Sequence, residues 1–220
     1  MAVVESTTRD QSVVTDEAIQ DLRSQLRGPL IGPEDLAYES ARQVYNGMID
    51  KRPRLIARCA DVADVIAAVN FGRQQGLLVA IRGGGHNGPG LGTCDDGLVI
   101  DLSMLKSVRV DPAARTVRVD AGCTSGDVDH ATHAFGLAVP FGIVSSTGVA
   151  GLTLGGGTGY LTRKFGLTID NLLEADVVLA DGRLVTASRS EHPDLFWCSA
   201  WGRWQLWLGN KLSTPGASGR

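Results

Sequence analysis

The 220-residue chain is predicted to fold as an α+β protein, on three observations. A strand–helix–strand pattern runs over residues 54–81. Apolar–polar alternation around tight-turn signals marks hairpins at 107–122 and 172–188. The longest segments in between are glycine-rich loops. One β-α-β unit combined with hairpins points to α+β rather than to a doubly wound parallel sheet. Composition agrees with a globular chain: 43 % of residues are hydrophobic and 20 % charged, well away from a disordered composition. A chain of this length buries most of its apolar surface without a disulfide or metal staple.

The elements follow in order. Residues before about 15 are polar and expected to be disordered. Residues 16–26 alternate with a helical rhythm and are stopped by Gly28-Pro29. Residues 54–59, RLIARC, read as a short strand. Asp61 is placed to cap a helix carrying Val62, Val65, Ile66 and Val69 on one face, with Gly76 as its stop. LLVAI (77–81) and LVIDL (98–102) read as buried strands on either side of a glycine-rich loop. A hairpin, a helix over 125–135 ending at Gly136, and a second glycine-rich tract over 146–161 come next. The final hairpin turns at Asp181-Gly182, a pair suited to the positive φ angles of a type I′ turn.

Charge and cysteine usage exclude several function classes. Twenty-one basic against twenty-four acidic residues leave a net charge of −3, which argues against nucleic acid or an anionic membrane as the main partner. No run approaches the ~18 apolar residues of a membrane span, and the N-terminus has no signal-peptide pattern, so a cytoplasmic location is expected. The four cysteines, Cys59, Cys94, Cys123 and Cys198, form no C-x-x-C pair and are expected to be free thiols. His130 and His133 stand beside Asp127 and Asp129. Two histidines without a firm third ligand read as a solvated helix face, and no metal is expected.

The count of 28 glycines, roughly twice the average share, is concentrated in two tracts. The first, Gly83-Gly84-Gly85-His86-Asn87-Gly88, has the G-x-G-x-x-G spacing of a dinucleotide fingerprint. That mechanism requires a helix to open at the third glycine, and Pro89-Gly90-Leu91-Gly92 cannot start one. A nicotinamide dehydrogenase built on this loop is therefore the weakest reading. Successive glycines nevertheless let several backbone N–H groups converge on one anion, a nest for phosphate oxygens. Arg82 either adds a charge-assisted bond there or is a surface residue. His86 sits within the loop. The second tract, including Gly148, Gly151, Gly155, Gly156 and Gly159, is too glycine-rich for a packed helix. It reads either as a bend between subdomains or as a second ligand-facing backbone.

RGGGHN, DDGLVIDLS, VRVDPAARTVRVDAG, the stretch HAFGLAVPFGIVSSTGVAGLTLGGGTGYLTRKFGLTIDNLLEADVV and EHPDLFW together resemble the FAD-binding domain of the berberine-bridge-enzyme-like oxidases. These belong to the vanillyl-alcohol-oxidase superfamily. The resemblance runs from about Gln43 to Trp197. It implies a PCMH-type FAD-binding domain over 41–198, built of two α/β subdomains with FAD between them, after a polar segment and helix over 1–40. It also implies that His86 bonds covalently to the flavin 8α-methyl carbon and that the backbone from Arg82 through Asn87 holds the pyrophosphate. The Ser146 and Thr147 hydroxyls would lie near the phosphates, with the second glycine tract lining the opposite side of FAD. Val177 and Val178 would give main-chain contacts to the adenine end. Family members often add a cysteinyl link, but Val144 stands at that place, so a single linkage is expected.

The implied activity is that of an FAD-dependent oxidoreductase acting on a small organic alcohol, sugar or similar substrate, with molecular oxygen as electron acceptor. The alternative is a catalytically inactive FAD-binding remnant, because the substrate domain and catalytic base of the family lie further along. The tail supports a truncation. After DLFW the family continues with a segment resembling Arg-Gly-Gly-Gly-Gly-Asn-Phe-Gly, whereas residues 198–210 read CSAWGRWQLWLGN. In the neighbouring frame, codons for 200–207 can encode that glycine run, so residues 199–220 are expected to be a frameshifted tail. Reading the gene in both frames decides this. Taken literally, Trp197, Trp201, Trp204 and Leu208 fall at the spacing of an interfacial membrane helix.

Overall fold

The computed structural model describes residues 14–201 and 209–213, with side chains through residue 197. The polar stretch before residue 14, and residues 202–208 and 214–220 of the tail, lie outside the described residues, so the frameshift expectation falls largely outside them.

Helix α1 (Asp16–Gln25) begins where the Thr15 hydroxyl accepts from the Ala18 N–H, with two acids in its first turn facing the positive end of the helix dipole. The short strand β1 (Leu30–Ile31), the single turn α2 (Tyr38–Ala41) and strand β2 (Leu55–Arg58) follow. Helix α3 (Val62–Gln74) starts at the expected cap: the Asp61 carboxylate accepts from the N–H groups of Ala63 and Asp64. Its buried face carries Val65, Ala68, Val69 and Phe71, whereas Val62 is exposed. Strands β3 (Val79–Arg82) and β4 (Leu98–Asp101) complete a four-stranded sheet in the order β1-β2-β4-β3. The β-α-β unit is therefore split. Helix α3 carries the chain across a gap that β4 later fills, running parallel to both β2 and β3. As an inner strand with helix α3 and strands β2 and β3 around it, β4 is buried along its whole length, which explains its apolar run.

Asp64 ties this lobe together. Its side chain is fully buried and accepts from the backbone N–H groups of Arg27, Gly28 and Ala60 at 2.9, 3.0 and 2.8 Å. It thus joins the exit of α1 to the entry of α3. Asp64→Ala leaves those donors unmatched, and at roughly 1 kcal/mol each the expected loss is about 3 kcal/mol, read from the urea midpoint. An unchanged midpoint would contradict this assignment.

The second lobe is built on a five-stranded antiparallel sheet. It comprises β5 (Val108–Asp111), β6 (Thr116–Asp120), β7 (Leu172–Val178), β8 (Leu184–Ser188) and β9 (Gly209–Ser213), in the order β5-β6-β9-β7-β8. Both expected hairpins form, and β9, from the divergent tail, lies between them and pairs with β6 and β7. Helix α4 (Ser125–His133) opens with a capping box between Thr124 and Asp127. Helix α5 (Val149–Leu154), the single turn α6 (Thr162–Phe165) and helix α7 (Pro193–Trp201) complete the lobe. Val117, Val119, Val128, Val149, Leu172, Val177 and Phe196 form its core. The predicted α+β architecture of two α/β lobes is present.

Two local expectations are corrected. The second glycine tract was expected to be non-helical, yet Val149–Leu154 forms a helix. Val149, Ala150 and Thr153 bury one side of it, and that burial offsets the cost of its glycine. The 172–188 hairpin does not turn through a type I′ pair, because among its turn residues only Gly182 has positive φ, at 86°. Gly182 N–H donates to Leu179 O and Leu179 N–H to Arg183 O, a turn closed by a single left-handed glycine. Of the tryptophans at helical spacing, Trp197 and Trp201 fall in α7 and Trp204 lies outside the described residues. Among the described residues no helix is long and apolar enough to cross a membrane.

Candidate functional site

Three parallel strands deliver a charge row to one end of the first sheet. Arg58 ends β2, Asp101 ends β4 and Arg82 ends β3, and the register sets Arg58 and Arg82 opposite Asp101 from its two sides. Asp101 Oδ2 accepts from Arg82 Nη2 at 2.9 Å and from Arg58 Nε at 3.2 Å, while Oδ1 accepts from the Ser103 N–H at 3.0 Å. Burial alone would raise the Asp101 pKa. The Arg82 guanidinium and the Ser103 N–H outweigh burial, and the carboxyl is held below its ordinary range. Two guanidinium groups against one carboxylate leave this end of the sheet net positive. The carboxyl ends of parallel strands are the usual place for a ligand in such a sheet.

Arg82 is not a surface residue. It is buried, and its guanidinium also donates to the carbonyls of Ala41 (2.6 Å) and Gln43 (3.4 Å). It thereby fixes the segment after α2 against the glycine loop. Tyr45 N–H donates to Gly85 O, Asn46 Nδ2 to Gly88 O, and Lys51 Nζ to the carbonyls of Gly90 and Thr93, so the loop is moored along its length.

The two glycine tracts meet backbone to backbone. A Cβ at Gly84 would lie 2.4 Å from Gly148 N, and one at Gly148 would lie 2.3 Å from Gly84 N. Only glycine permits this approach. Beside the contact lies an open cleft of about 350 Å³, lined by Arg58, Arg82, Gly83–His86, Asp101, Ser103, Ser146 and, from the segment around α2, Ser40, Ala41 and Gln43–Tyr45. At its edge the His86 ring is stacked on Tyr45, with centroids 4.0 Å apart and planes 17° from parallel, and His86 Nε2 lies 3.1 Å from Ser146 Oγ.

Of the residues singled out in the sequence, Arg82, Gly83, Gly84, Gly85, His86 and Ser146 line this cleft. Asn87 follows at the exposed end of the loop, its Oδ1 accepting from the Leu91 N–H. Thr147 O accepts from the Ser125 N–H, and Gly148 caps α5. Gly151 is exposed on α5, Gly155 ends that helix, and Gly156 and Gly159 lie in the loop beyond it. Val177 and Val178 are buried in β7, in the cores of different lobes. None of these last residues lines the cleft. Sequence reasoning missed Tyr45, Arg58, Asp101 and Ser103. The signal available for two of them was the repeated form LIAR, VAIR, LVID, an apolar strand ending each time on a charge.

The Asp127 carboxylate is committed to Thr124 and Lys106, and among the described residues no three His, Cys, Asp or Glu side chains gather as a metal site. Cys59, Cys94 and Cys123 are free and buried. Burial keeps all three protonated at neutral pH, with Cys123 pushed up to about 11, and none lines the cleft.

Residues 53–188 match the family model described as FAD binding domain. The chain is 39 % identical to (R)-6-hydroxynicotine oxidase of Paenarthrobacter nicotinovorans over 78 % of its own length and 38 % of that protein. Among solved structures it superposes on BBE-like 1 of Physcomitrella patens with a TM-score of 0.85 at 31 % identity, covering 91 % of this chain and 45 % of that one. It also superposes on glucooligosaccharide oxidase of Acremonium strictum, described with a 6-S-cysteinyl, 8α-N1-histidyl FAD, with a TM-score of 0.83 at 28 % identity, covering 90 % and 42 %. The chain thus spans about two fifths of the length of the relatives it matches.

Proposed function

The chain belongs to the FAD-binding-domain family of FAD-linked oxidoreductases, and from that premise we propose that it binds FAD with the flavin end at His86 and attaches it there by a single covalent bond. The observation that supports this reading most is the position of His86. It projects from a glycine loop at the edge of a cleft that two arginines make net positive, where the second glycine tract approaches without an intervening side chain. An anionic dinucleotide suits such a donor set. Backbone N–H groups from Gly83 to Asn87 lie on the loop that would take the pyrophosphate, and Arg58 brings a half-exposed guanidinium to the same cleft. Thr147, Gly148 and the glycines that follow belong to the opposite wall in this reading, and the backbone of Val177 and Val178 to the adenine end.

Bound FAD supplies two-electron chemistry: it takes a hydride from an organic substrate and passes the electrons to dioxygen. In this reading His86 would be the residue that holds the flavin, its imidazole supplying the electron pair of a nitrogen–carbon bond to the 8α-methyl carbon. Methyl and imidazole would each lose one proton, and the two electrons would pass to dioxygen, giving hydrogen peroxide. Val144 offers no thiol for a second link, and its neighbours hold none either. The substrate class we propose is a small organic alcohol, sugar or similar molecule.

The test is the intact mass and visible spectrum of protein purified with flavin, then denatured and washed. A retained yellow chromophore, with the mass of one FAD less two hydrogens added, is expected for the wild type. In His86→Ala both are expected to be lost. Colourless, unmodified wild type, or a chromophore that survives His86→Ala, would overturn the covalent reading. A chain that binds FAD without turnover is separated from an oxidase by the absence of substrate-dependent peroxide.

A further inference from the structure

His86 is held from two directions by residues that no sequence pattern pointed to in this role. Tyr45 lies against one face of the imidazole, 4.0 Å away and nearly parallel. Its backbone is tied to the same loop, because Tyr45 N–H donates to Gly85 O at 3.1 Å, so the stacking partner is anchored beside the histidine it faces. On the ring edge, Ser146 Oγ lies 3.1 Å from Nε2. Ser146 comes from a different lobe, two residues before the Gly148 backbone that abuts Gly84, so the same close approach that joins the lobes sets this hydrogen bond. Among the described residues Nδ1 has no hydrogen-bond partner.

A neutral imidazole has one protonated and one lone-pair nitrogen, and the partner of one decides the role of the other. A serine hydroxyl can serve either tautomer, so Ser146 alone does not choose. The chemistry of the loop does: a nitrogen that must act as nucleophile needs its lone pair free, and the free nitrogen is Nδ1. We propose that Tyr45 and Ser146 are positioning residues for flavin attachment, Ser146 accepting the Nε2 proton and Tyr45 fixing the plane of the ring, so that Nδ1 presents its lone pair to the cleft. This rests on the attachment reading above and adds which residues make it fast. As the new bond forms at Nδ1, positive charge develops on the ring, and the Ser146 oxygen on Nε2–H is already placed to stabilise it.

Two measurements on the full chain test the proposal. In protein carrying ¹⁵N-histidine and prepared without flavin, the His86 ring nitrogens are expected to show the proton on Nε2. Ser146→Thr, which keeps a hydroxyl, should preserve that pattern, and Ser146→Ala should shift it toward a mixture. A proton on Nδ1 in the wild type, or a pattern indifferent to Ser146→Ala, overturns the assignment whether or not flavin binds. In the second measurement, FAD is added and covalent product is followed by mass after denaturation. The attachment rate is expected to fall on the order of tenfold or more in Ser146→Ala and in Tyr45→Ala. It should recover in Ser146→Thr and remain near wild type in Tyr45→Phe, which keeps the stacking ring. Equal rates in the wild type and both alanine variants overturn the positioning role while leaving attachment at His86 intact. A wild type that never becomes modified overturns the attachment reading instead, and the tautomer measurement still decides the role of Ser146.

Discussion

Gly84→Ala is expected to lower stability by about 3 kcal/mol, at the upper end for an overpacked site, and to stop covalent loading of FAD. The added methyl group would stand 2.4 Å from the nitrogen and 2.6 Å from the Cα of Gly148, so the obstacle is backbone and cannot be relieved by a side-chain rotation. Relief requires the two loops to separate. That separation draws Ser146 away from His86 and opens the wall of the cleft. Gly148→Ala should behave alike, because its methyl would meet Gly84 N at 2.3 Å and Cα at 2.8 Å. The control is Gly151→Ala: that position is exposed within α5 and has no atom within 4 Å of the added carbon. There, alanine is expected to raise stability by up to about 1 kcal/mol through helix propensity. Urea midpoints of the three variants, with the mass of the denatured protein, check all of this together. A Gly84→Ala protein that matches the wild type in both readouts would contradict the contact.

Asp101→Asn is expected to be nearly as damaging, for an electrostatic reason. Asp101 and Arg82 are both buried, and their pair continues to the partly exposed Arg58. Removing the carboxylate charge leaves the Arg82 guanidinium buried without a counter-ion. Breaking such a pair typically costs about 3–5 kcal/mol. The effect has a pH signature. The folded carboxyl titrates below its ordinary range, so the unfolded chain takes up the proton first as acid is added. The contribution is complete above the ordinary aspartate range, near about pH 4, and drains away as pH falls through the folded value below it. Plotted against pH, the stability of Asp101→Asn should run below the wild type near neutrality and approach it toward acid. Parallel curves would show that this carboxylate is not what senses the acid.

Local signals accounted for most elements. Asp61 announces the start of α3 in the sequence, whereas the caps at Thr15 and Thr124–Asp127 emerged with the structure. The hairpins of the second lobe alternate visibly on both sides of their turns. Gly83–Asn87 stood out because three consecutive glycines at the end of a buried strand are costly in entropy without something to pack on them. The misreadings were local as well. Val149–Leu154 became helical because burial of one side outweighed propensity. The Asp181-Gly182 turn used one left-handed residue where two were expected, with Arg183 donating to Asp181.

What the amino-acid order determined by itself was most of the longer elements, the two glycine loops, the resemblance to a flavoprotein family and the candidacy of His86, because period, caps and turn chemistry act over a few residues. The tertiary structure alone decided what those elements do to one another. It placed β4 between β2 and β3, set Asp101 between two arginines from other strands, pressed Gly84 onto Gly148, and brought Ser146 to a histidine sixty residues earlier in the chain. Such arrangements depend on register and on close approach between distant segments. No local preference encodes them; they come from a packing that buries the apolar clusters of both lobes and sets Asp101 against Arg58 and Arg82.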